Sequence, residues 1–532
     1  MAAPAQRPSI SPYAKHPVQE IVSRSAARWG SKTAVIDGER RLTFTELEEQ
    51  AKRFAGALHG MGIAKGDRVA ILAPNCAEYV VAFHGICTVG AVVTTLNPSY
   101  REREIEFQLK DSAPRALIVA EPLYALAAAV LPSVQSVEKV IVIGDAPAGD
   151  ALSFHKLVAE HGPPPREVEI DPDTDLAVLP YSSGTTGLPK GVMLTHTNLV
   201  ANVQQFLYGA SALFTEDDVV QVHLPMYHIY GMNVLMNGSI AAGATQVLMP
   251  RFDMAQCLTL IAEHKITALY TVPPVILGLV NLPSMIDIDL PSALSTVRYC
   301  FSGAAPLSAD LTQRFEEVTG VTLVQGYGLT ETSPVTNADF AEIELRRAGS
   351  VGPSLPDTDE KVVDLDAGKR ELPRGEVGEL IVRGPQVMKG YWNNPEATAE
   401  TIRDGWLHTG DMATMDEEGY VYIVDRKKEL IKYKGFQVPP AELEALLLEH
   451  PAITDAAVVG KPDEEAGELP KAYVVTKGPD VTADEIMEFV AERVAGFKKI
   501  REVEFIDEIP KNPSGKILRR VLVDQERERA RG

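Results

Sequence analysis

Cysteine is scarce in this chain: its 532 residues include four, Cys76, Cys87, Cys257 and Cys300. They are scattered, with no C-x-x-C pair and no dense framework. That usage excludes a disulfide scaffold, argues against a structural zinc site and predicts a reducing, cytoplasmic location. Positive charge is also in short supply. Lys and Arg number 51 against 73 Asp and Glu, a formal net charge of −22. No broad basic surface is left for nucleic acid or an anionic membrane. An anionic ligand must therefore be met by positive charge concentrated locally.

Targeting signals are missing too. The opening segment MAAPAQRPSISPYAKH has no apolar core of the signal-peptide type, and the closing ERERARG lacks a Ser-Lys-Leu ending. Two uncharged stretches, 79–100 and 219–250, are long enough to cross a bilayer, but His, Asn, Gly and Pro interrupt both. The first reads as a helix ending near Gly90 followed by a buried strand, AVVTTL, so no integral membrane segment is expected.

What is present is ordinary globular material, 45% hydrophobic and 23% charged, in a chain too long for one core. Short β-branched runs at 116–119, 140–143 and 176–179 alternate with amphipathic helical stretches, which predicts layered α/β sheets. A helix is expected from Asn198 onwards, with Leu199, Val203, Phe206 and Leu207 on one face and Thr197 or Asn198 as its cap. Past about residue 350 the texture changes. GEVGELIVRG and GYVYIVDR read as strands between glycine-rich turns, a small β-barrel-like unit. The charged knot Asp425-Arg426-Lys427-Lys428-Glu429 then breaks the pattern. Beyond it come helices at 441–449 and 483–495 and strands at 456–459 and 472–475, enough for a small α+β domain.

The strand LAVLPY runs into Ser182-Ser183-Gly184-Thr185-Thr186-Gly187-Leu188-Pro189-Lys190-Gly191. Small residues let backbone N–H groups approach a polyphosphate, hydroxyls donate further bonds, and a lysine adds charge. The spacing is not that of a Walker loop. By composition the segment fits an ordinary polar turn equally well. Its order and length, however, resemble the signature loop of the adenylate-forming superfamily, which includes acyl-CoA synthetases, 4-coumarate–CoA ligases, beetle luciferases and peptide-synthetase adenylation domains.

Further motifs follow in that superfamily's order, from about residue 40 to 520. Gln325-Gly326-Tyr327-Gly328-Leu329-Thr330-Glu331-Thr332 is the second specific signal, and a carboxylate beside a triphosphate is what Mg²⁺ binding requires. Pro225-Met226-Tyr227-His228-Ile229-Tyr230-Gly231, Ser302-Gly303-Ala304-Ala305-Pro306, Thr409-Gly410-Asp411 and Pro510-Lys511-Asn512-Pro513-Ser514-Gly515-Lys516-Ile517 are weak signals alone. Read in isolation they are a satisfied buried histidine, a tight turn, another turn and a surface lysine loop.

The resemblance implies a large N-terminal adenylation domain, 1–424, and a mobile C-terminal domain, 425–532, hinged at Asp425. It implies that Ser182, Ser183, Gly184, Thr185, Thr186, Gly187 and Lys190 cradle the β- and γ-phosphates. Ala304, Gln325, Gly326 and Tyr327 would hold adenine and AMP, Thr330 the α-phosphate and Glu331 the Mg²⁺. Asp411 and Arg426 would bind the ribose, and Lys432 and Gln437 would approach the adenylate. Arg251, Lys434 and Gly435 would meet CoA, and Tyr230, Val234, Gly303, Gly326, Pro334 and Val335 would line the acyl pocket. Lys516 would be the catalytic lysine, with His228 placed between the acyl pocket and the CoA tunnel.

The implied reaction joins a small carboxylic acid to CoA through acyl-AMP, consuming ATP. A carboxylate with a pKa near ~4.5 is already ionised at neutral pH, so its barrier is charge repulsion and no general base is needed. The apolar lining implies an arylpropenoate such as 4-coumarate, or a medium- or long-chain fatty acid. Two rivals share the adenylation motifs. A luciferase-like oxygenase is disfavoured by NVQQF at 202–206, where luciferases usually carry an arginine. A carrier-loading adenylation module is disfavoured by Arg251 and Lys434.

Overall fold

A computed structural model describes residues 7–144, 149–182, 189–209, 214–305, 307–365, 367–426, 429–434, 436–463, 466–478, 481–494, 496–512 and 515–531. Among them the strands gather into four sheets. The first is eight-stranded, with Thr322–Gly328, Tyr299–Ser302, Ala268–Thr271, Val219–Val222, Thr245–Leu248 and Thr33–Asp37 side by side and parallel. Antiparallel strands, Val335–Ala338 and Arg40–Thr43, close its two edges. The second, nine-stranded sheet contains the expected runs Ala116–Ala120, Lys139–Ile143 and Leu176–Leu179. Apart from Arg68, its central strands are buried, which is why they read as apolar runs rather than alternating ones.

The two uncharged stretches are resolved by this layering. The first is the buried helix Ala77–Thr88 followed by the strand Val92–Thr95, with the chain reversing at Gly90, whose φ of 70° suits glycine. The second holds the strand Val219–Val222, a π-helix Tyr230–Asn237, a short helix Gly238–Ala242 and the strand Thr245–Leu248. Among the described residues no helix is long and apolar enough to cross a membrane.

The helix predicted from Asn198 runs His196–Gly209, and its cap differs from expectation. Thr195 is the capping residue: its hydroxyl accepts from the Asn198 N–H at 3.2 Å, and Asn198 Oδ1 accepts from the Thr195 N–H at 2.9 Å. Asn198 thus fills the return position of a capping box, while Thr197 turns outward to Asp173.

The third sheet, antiparallel and five-stranded, includes Gly378–Arg383, Trp406–Met415 and Val421–Arg426 around a small core with Val362, Leu380, Ala413 and Val421. The fourth has its own core, including Ile431, Leu443, Val458, Val474, Ile486 and Val490. Its strands Ile453–Asp463 and Gly467–Thr476 extend well beyond the predicted cores, because they form one long antiparallel pair. Its last predicted helix is shorter, Ala483–Ala491, started by a Thr482–Glu485 capping box. Asp425 lies within the strand Val421–Arg426, yet its carboxylate accepts from the Ala441 N–H at 2.8 Å, at the start of the helix Pro440–Leu448. It therefore joins the third sheet to the fourth.

One buried side chain ties both large sheets to the loop carrying His228. Asn75 Nδ2 donates to the carbonyls of Val222, Leu224 and Met249, and its Oδ1 accepts from the Met226 N–H at 2.8 Å. Replacing it leaves several buried backbone groups without partners. Asn75→Ala is expected to lower stability by about 2–4 kcal/mol. The measurement is the midpoint of chemical unfolding; an unchanged midpoint would contradict this role.

Candidate active site

The carboxyl ends of the parallel strands in the first sheet open onto a cavity of about 840 Å³. In open α/β sheets such strand ends are where ligands bind. Phe301, Gly303 and Ala304 enter it from the end of Tyr299–Ser302, and the segment from Gly326 to Glu331 from the end of Thr322–Gly328. The second sheet adds Thr95, Ser182 and Lys190, and the third adds His408 to Asp411. Lys511, Asn512 and Lys516 close it from the C-terminal region. Three sheets and a C-terminal loop thus contribute to one cavity.

On one side stands Glu331, in the 3₁₀ turn Thr330–Thr332. Its carboxylate accepts from the Tyr391 hydroxyl at 2.8 Å, and its backbone carbonyl accepts from the Met388 N–H at 2.8 Å. Tyr391 sits on a strand paired with Lys190–Thr195, Val192 opposite Tyr391, and the Lys190 ammonium lies 5.0 Å from the centre of the Tyr391 ring. Burial, then the Glu331 carboxylate, pushes the Tyr391 phenol above its ordinary pKa, so it stays a donor. The strand Lys190–Thr195 is therefore coupled to Glu331 through one tyrosine. Among the described residues no three His, Cys, Asp or Glu side chains gather as a metal site. A lone carboxylate suits Mg²⁺, which takes most of its oxygens from phosphate and water.

On the opposite side is Asp411, nearly buried, accepting from the Tyr327 hydroxyl at 2.6 Å. Asp411 pairs directly with Arg426 across neighbouring strands, which explains how two motifs apart in sequence share a site. The turn before it needs glycine: Gly410 has φ 71°, and its N–H donates to Glu379 at 3.2 Å. The other Glu379 oxygen lies 3.5 Å from Nδ1 of His408.

At the inner end, Tyr230 donates to the Phe301 carbonyl at 3.3 Å. Gly303 faces the Tyr230 ring, so closely that a Cβ there would lie 3.3 Å from it. A Cβ on Gly326 would collide with the Phe301 ring at 2.3 Å. Val335 is fixed by Asn202, which donates to its carbonyl at 2.7 Å and accepts from its N–H at 3.1 Å. His228 is half-buried, with Nδ1 accepting from the Tyr230 N–H at 3.3 Å. Burial, reinforced by the Lys516 ammonium, holds the imidazole down at about 4, so it is neutral at physiological pH.

The predicted residues thus converge in large part: Ser182, Lys190, His228, Tyr230, Gly303, Ala304, Gly326, Tyr327, Thr330, Glu331, Pro334, Val335, Asp411 and Lys516 all line the cavity. Other named residues stand apart from this cavity. Gln325 leaves its strand on the side away from Gly326, and its amide reaches Thr312 at 3.5 Å on the helix Ala309–Thr319. Val234 packs into the core rather than against the cavity. Arg251, Lys432 and Lys434 are exposed and do not line it. Lys434 sits at a hairpin tip with φ 48°. Ser183, Gly184, Thr185, Thr186, Gly187 and Gly435 lie outside the described residues, as do the side chains of Arg426 and Gln437.

Several lining residues escaped the sequence reading: Phe301, Tyr391, Arg403 and His408 with its neighbour Glu379. Phe301 immediately precedes the Ser302 loop, so extending that motif by one residue would have found it, whereas His408 lies within Trp406-Leu407-His408-Thr409-Gly410-Asp411 and was assigned no role. Tyr391 carries no local signal, because its place is set by pairing with Val192.

Comparison with known proteins agrees with this geometry. The family model of the AMP-binding enzymes matches residues 22–392, and that of the AMP-binding enzyme C-terminal domain matches 442–516. The chain is 42% identical to a 4-coumarate–CoA ligase of Oryza sativa subsp. japonica, covering 95% of this chain and 91% of that one. It is 38% identical to a long-chain-fatty-acid–CoA ligase of Bacillus subtilis, covering 99% and 97%. A crystal structure of an anthranilate CoA ligase with anthranoyl-AMP superposes over the whole of both chains with a TM-score of 0.90 at 29% identity. The chain belongs to the AMP-binding enzyme family, as an acid–CoA ligase of its acyl-CoA synthetase branch.

Proposed function

We propose that the acid activated here is a planar aromatic acid of the arylpropenoate class, and that the cavity residues act on it in two steps separated by a rotation of the C-terminal region. The observation that carries the substrate reading is the inner end of the cavity, where the Tyr230 and Phe301 rings pack against the backbone of Gly303 and Gly326. Such a surface favours a flat ring by stacking and apolar contact. A long acyl chain is the second reading, supported by the apolar Pro334 and Val335 beside it and by the fatty-acid relative.

In the first step the ionised carboxylate attacks the α-phosphorus of ATP, and pyrophosphate leaves. Both partners are anions, so the useful groups are cations and N–H donors aimed where charge develops. Lys516 and Lys190 supply positive charge, and Thr330 a hydroxyl at the α-phosphate. Asp411, through its carboxylate, takes the ribose hydroxyls. Mg²⁺ held by Glu331 and the phosphate oxygens would neutralise part of the pyrophosphate charge. In the second step the CoA thiolate attacks the acyl carbonyl, AMP departs, and the thiol proton goes to solvent. Lys432, Lys434 and Arg251 lie outside the cavity while Lys516 lines it, which suits a C-terminal region poised for the first step. A hinge at Asp425 would then exchange Lys516 for the Lys434 hairpin, separating domains 1–424 and 425–532. The buried, unpaired state of Cys87, Cys257 and Cys300 suits work in a reducing cytoplasm.

His228 is assigned an orienting role rather than that of a base. An imidazole held at about 4 is a poor acceptor for a thiol of pKa near ~8.5, a transfer uphill by about 6 kcal/mol. Because its proton is lost well below neutrality, no His228 titration is expected above pH 5. His228→Ala should keep acyl-AMP formation within about twofold, lower thioester formation about tenfold or more, and leave the shape of the pH profile above pH 5 unchanged. Loss of an acid limb near pH 6 in the variant would contradict this.

The substrate reading is tested by CoA-dependent AMP formation across cinnamic, benzoic and C6–C18 acids. 4-Coumarate or caffeate should give the highest kcat/KM, and Phe301→Ala should shift preference towards bulkier acids. A maximum at C8–C16 would replace the aryl reading with the fatty-acyl one.

A further inference from the structure

Arg519 follows Lys516 closely in the chain and opens the C-terminal helix Arg519–Arg531. Its guanidinium is gripped by two carboxylates. Nε donates to Glu444 at 3.0 Å, Nη2 donates to the other Glu444 oxygen, and Nη1 donates to Glu429. All three side chains are largely buried, with 15%, 9% and 17% of their surface exposed for Arg519, Glu444 and Glu429. Glu444 belongs to the helix Pro440–Leu448 and also accepts from the Val458 N–H at 2.8 Å. Glu429 belongs to the segment that leaves the third sheet just after Asp425 and Arg426.

One guanidinium therefore joins three pieces: the segment leaving the third sheet, the first helix of the C-terminal region and the loop that carries Lys516. That loop is itself braced, since the Lys516 N–H donates to Asn512 Oδ1 at 2.8 Å and the Asn512 N–H donates to the Lys516 carbonyl at 2.9 Å. Burying such charges brings a desolvation cost that offsets much of the attraction, so stability is a weak reason for the arrangement. The planar fork of arginine, by contrast, fixes direction as well as distance.

We propose that Arg519 is a positioning residue, clamping the Lys516 loop to the segment that leaves the third sheet, so that Lys516 enters and leaves the cavity as that segment turns. This rests on the reading of Lys516 as the adenylating lysine. A displacement of about an ångström in such a group can lower rate by about 10²-fold, whereas thioester formation from ready-made acyl-AMP does not use Lys516.

The test separates the two half-reactions in the full-length enzyme. Arg519→Met and Glu429→Gln are compared with wild type for ATP–pyrophosphate exchange and for conversion of synthetic acyl-AMP and CoA to thioester, with melting temperature as a check on folding. Exchange should fall about 10- to 100-fold in Arg519→Met and in the same direction in Glu429→Gln. Thioester formation from acyl-AMP should stay within about twofold. Equal loss in both half-reactions, or no loss in exchange for either variant, would overturn the proposal. Lys516→Ala run alongside must show the same split; if it keeps exchange, the reading of Lys516 fails, and the clamp with it.

Discussion

Charge repulsion is the constraint on which the rest of the structure depends. The ligase must bring an ionised carboxylate against a triphosphate inside a protein of net charge −22. At the few-ångström separations of a reacting pair, like charges in a partly dehydrated site repel by several kcal/mol. The structure answers by drawing single cations from distant parts of the chain, Lys190 from the second sheet and Lys516 from the C-terminal region, into one cavity. A broad basic surface would have been cheaper to build, but it would attract every polyanion in the cell.

Each local device serves that convergence. Asn75 joins the two large sheets and orders the loop leading to His228. Tyr391 binds the strand Lys190–Thr195 to Glu331, and Asp411 pairs with Arg426 across a strand boundary. These are long-range contacts, with the entropy of many closed loops behind them, and they hold together a cavity assembled from three sheets and a C-terminal loop.

Much of this was legible in the sequence where function is written locally. Ser182 to Gly191 and Gln325 to Thr332 owe their phosphate reading to their resemblance to the adenylate-forming superfamily, since by composition the first fits an ordinary polar turn equally well. The buried strands were legible as unbroken apolar runs. What depended on partners distant in sequence was not. Gln325 falls within its motif, yet strand alternation turns its side chain to Thr312. Val234 has pocket-like chemistry but lies on the core side of a π-helix. Tyr391 is placed by a pairing that no local pattern encodes. The cap at Thr195 was missed by a few residues because Thr195, Thr197 and Asn198 all carry capping side chains, and only the geometry distinguishes them.

The most direct test of an acyl-adenylate made in this cavity is isotopic. The enzyme is given an acid labelled with ¹⁸O in its carboxylate, together with ATP and CoA, and the AMP and pyrophosphate are analysed by mass spectrometry. Attack of the carboxylate on the α-phosphorus predicts one ¹⁸O in each AMP and none in pyrophosphate. AMP free of label, with label retained in full by the acyl product or found in pyrophosphate, would contradict it.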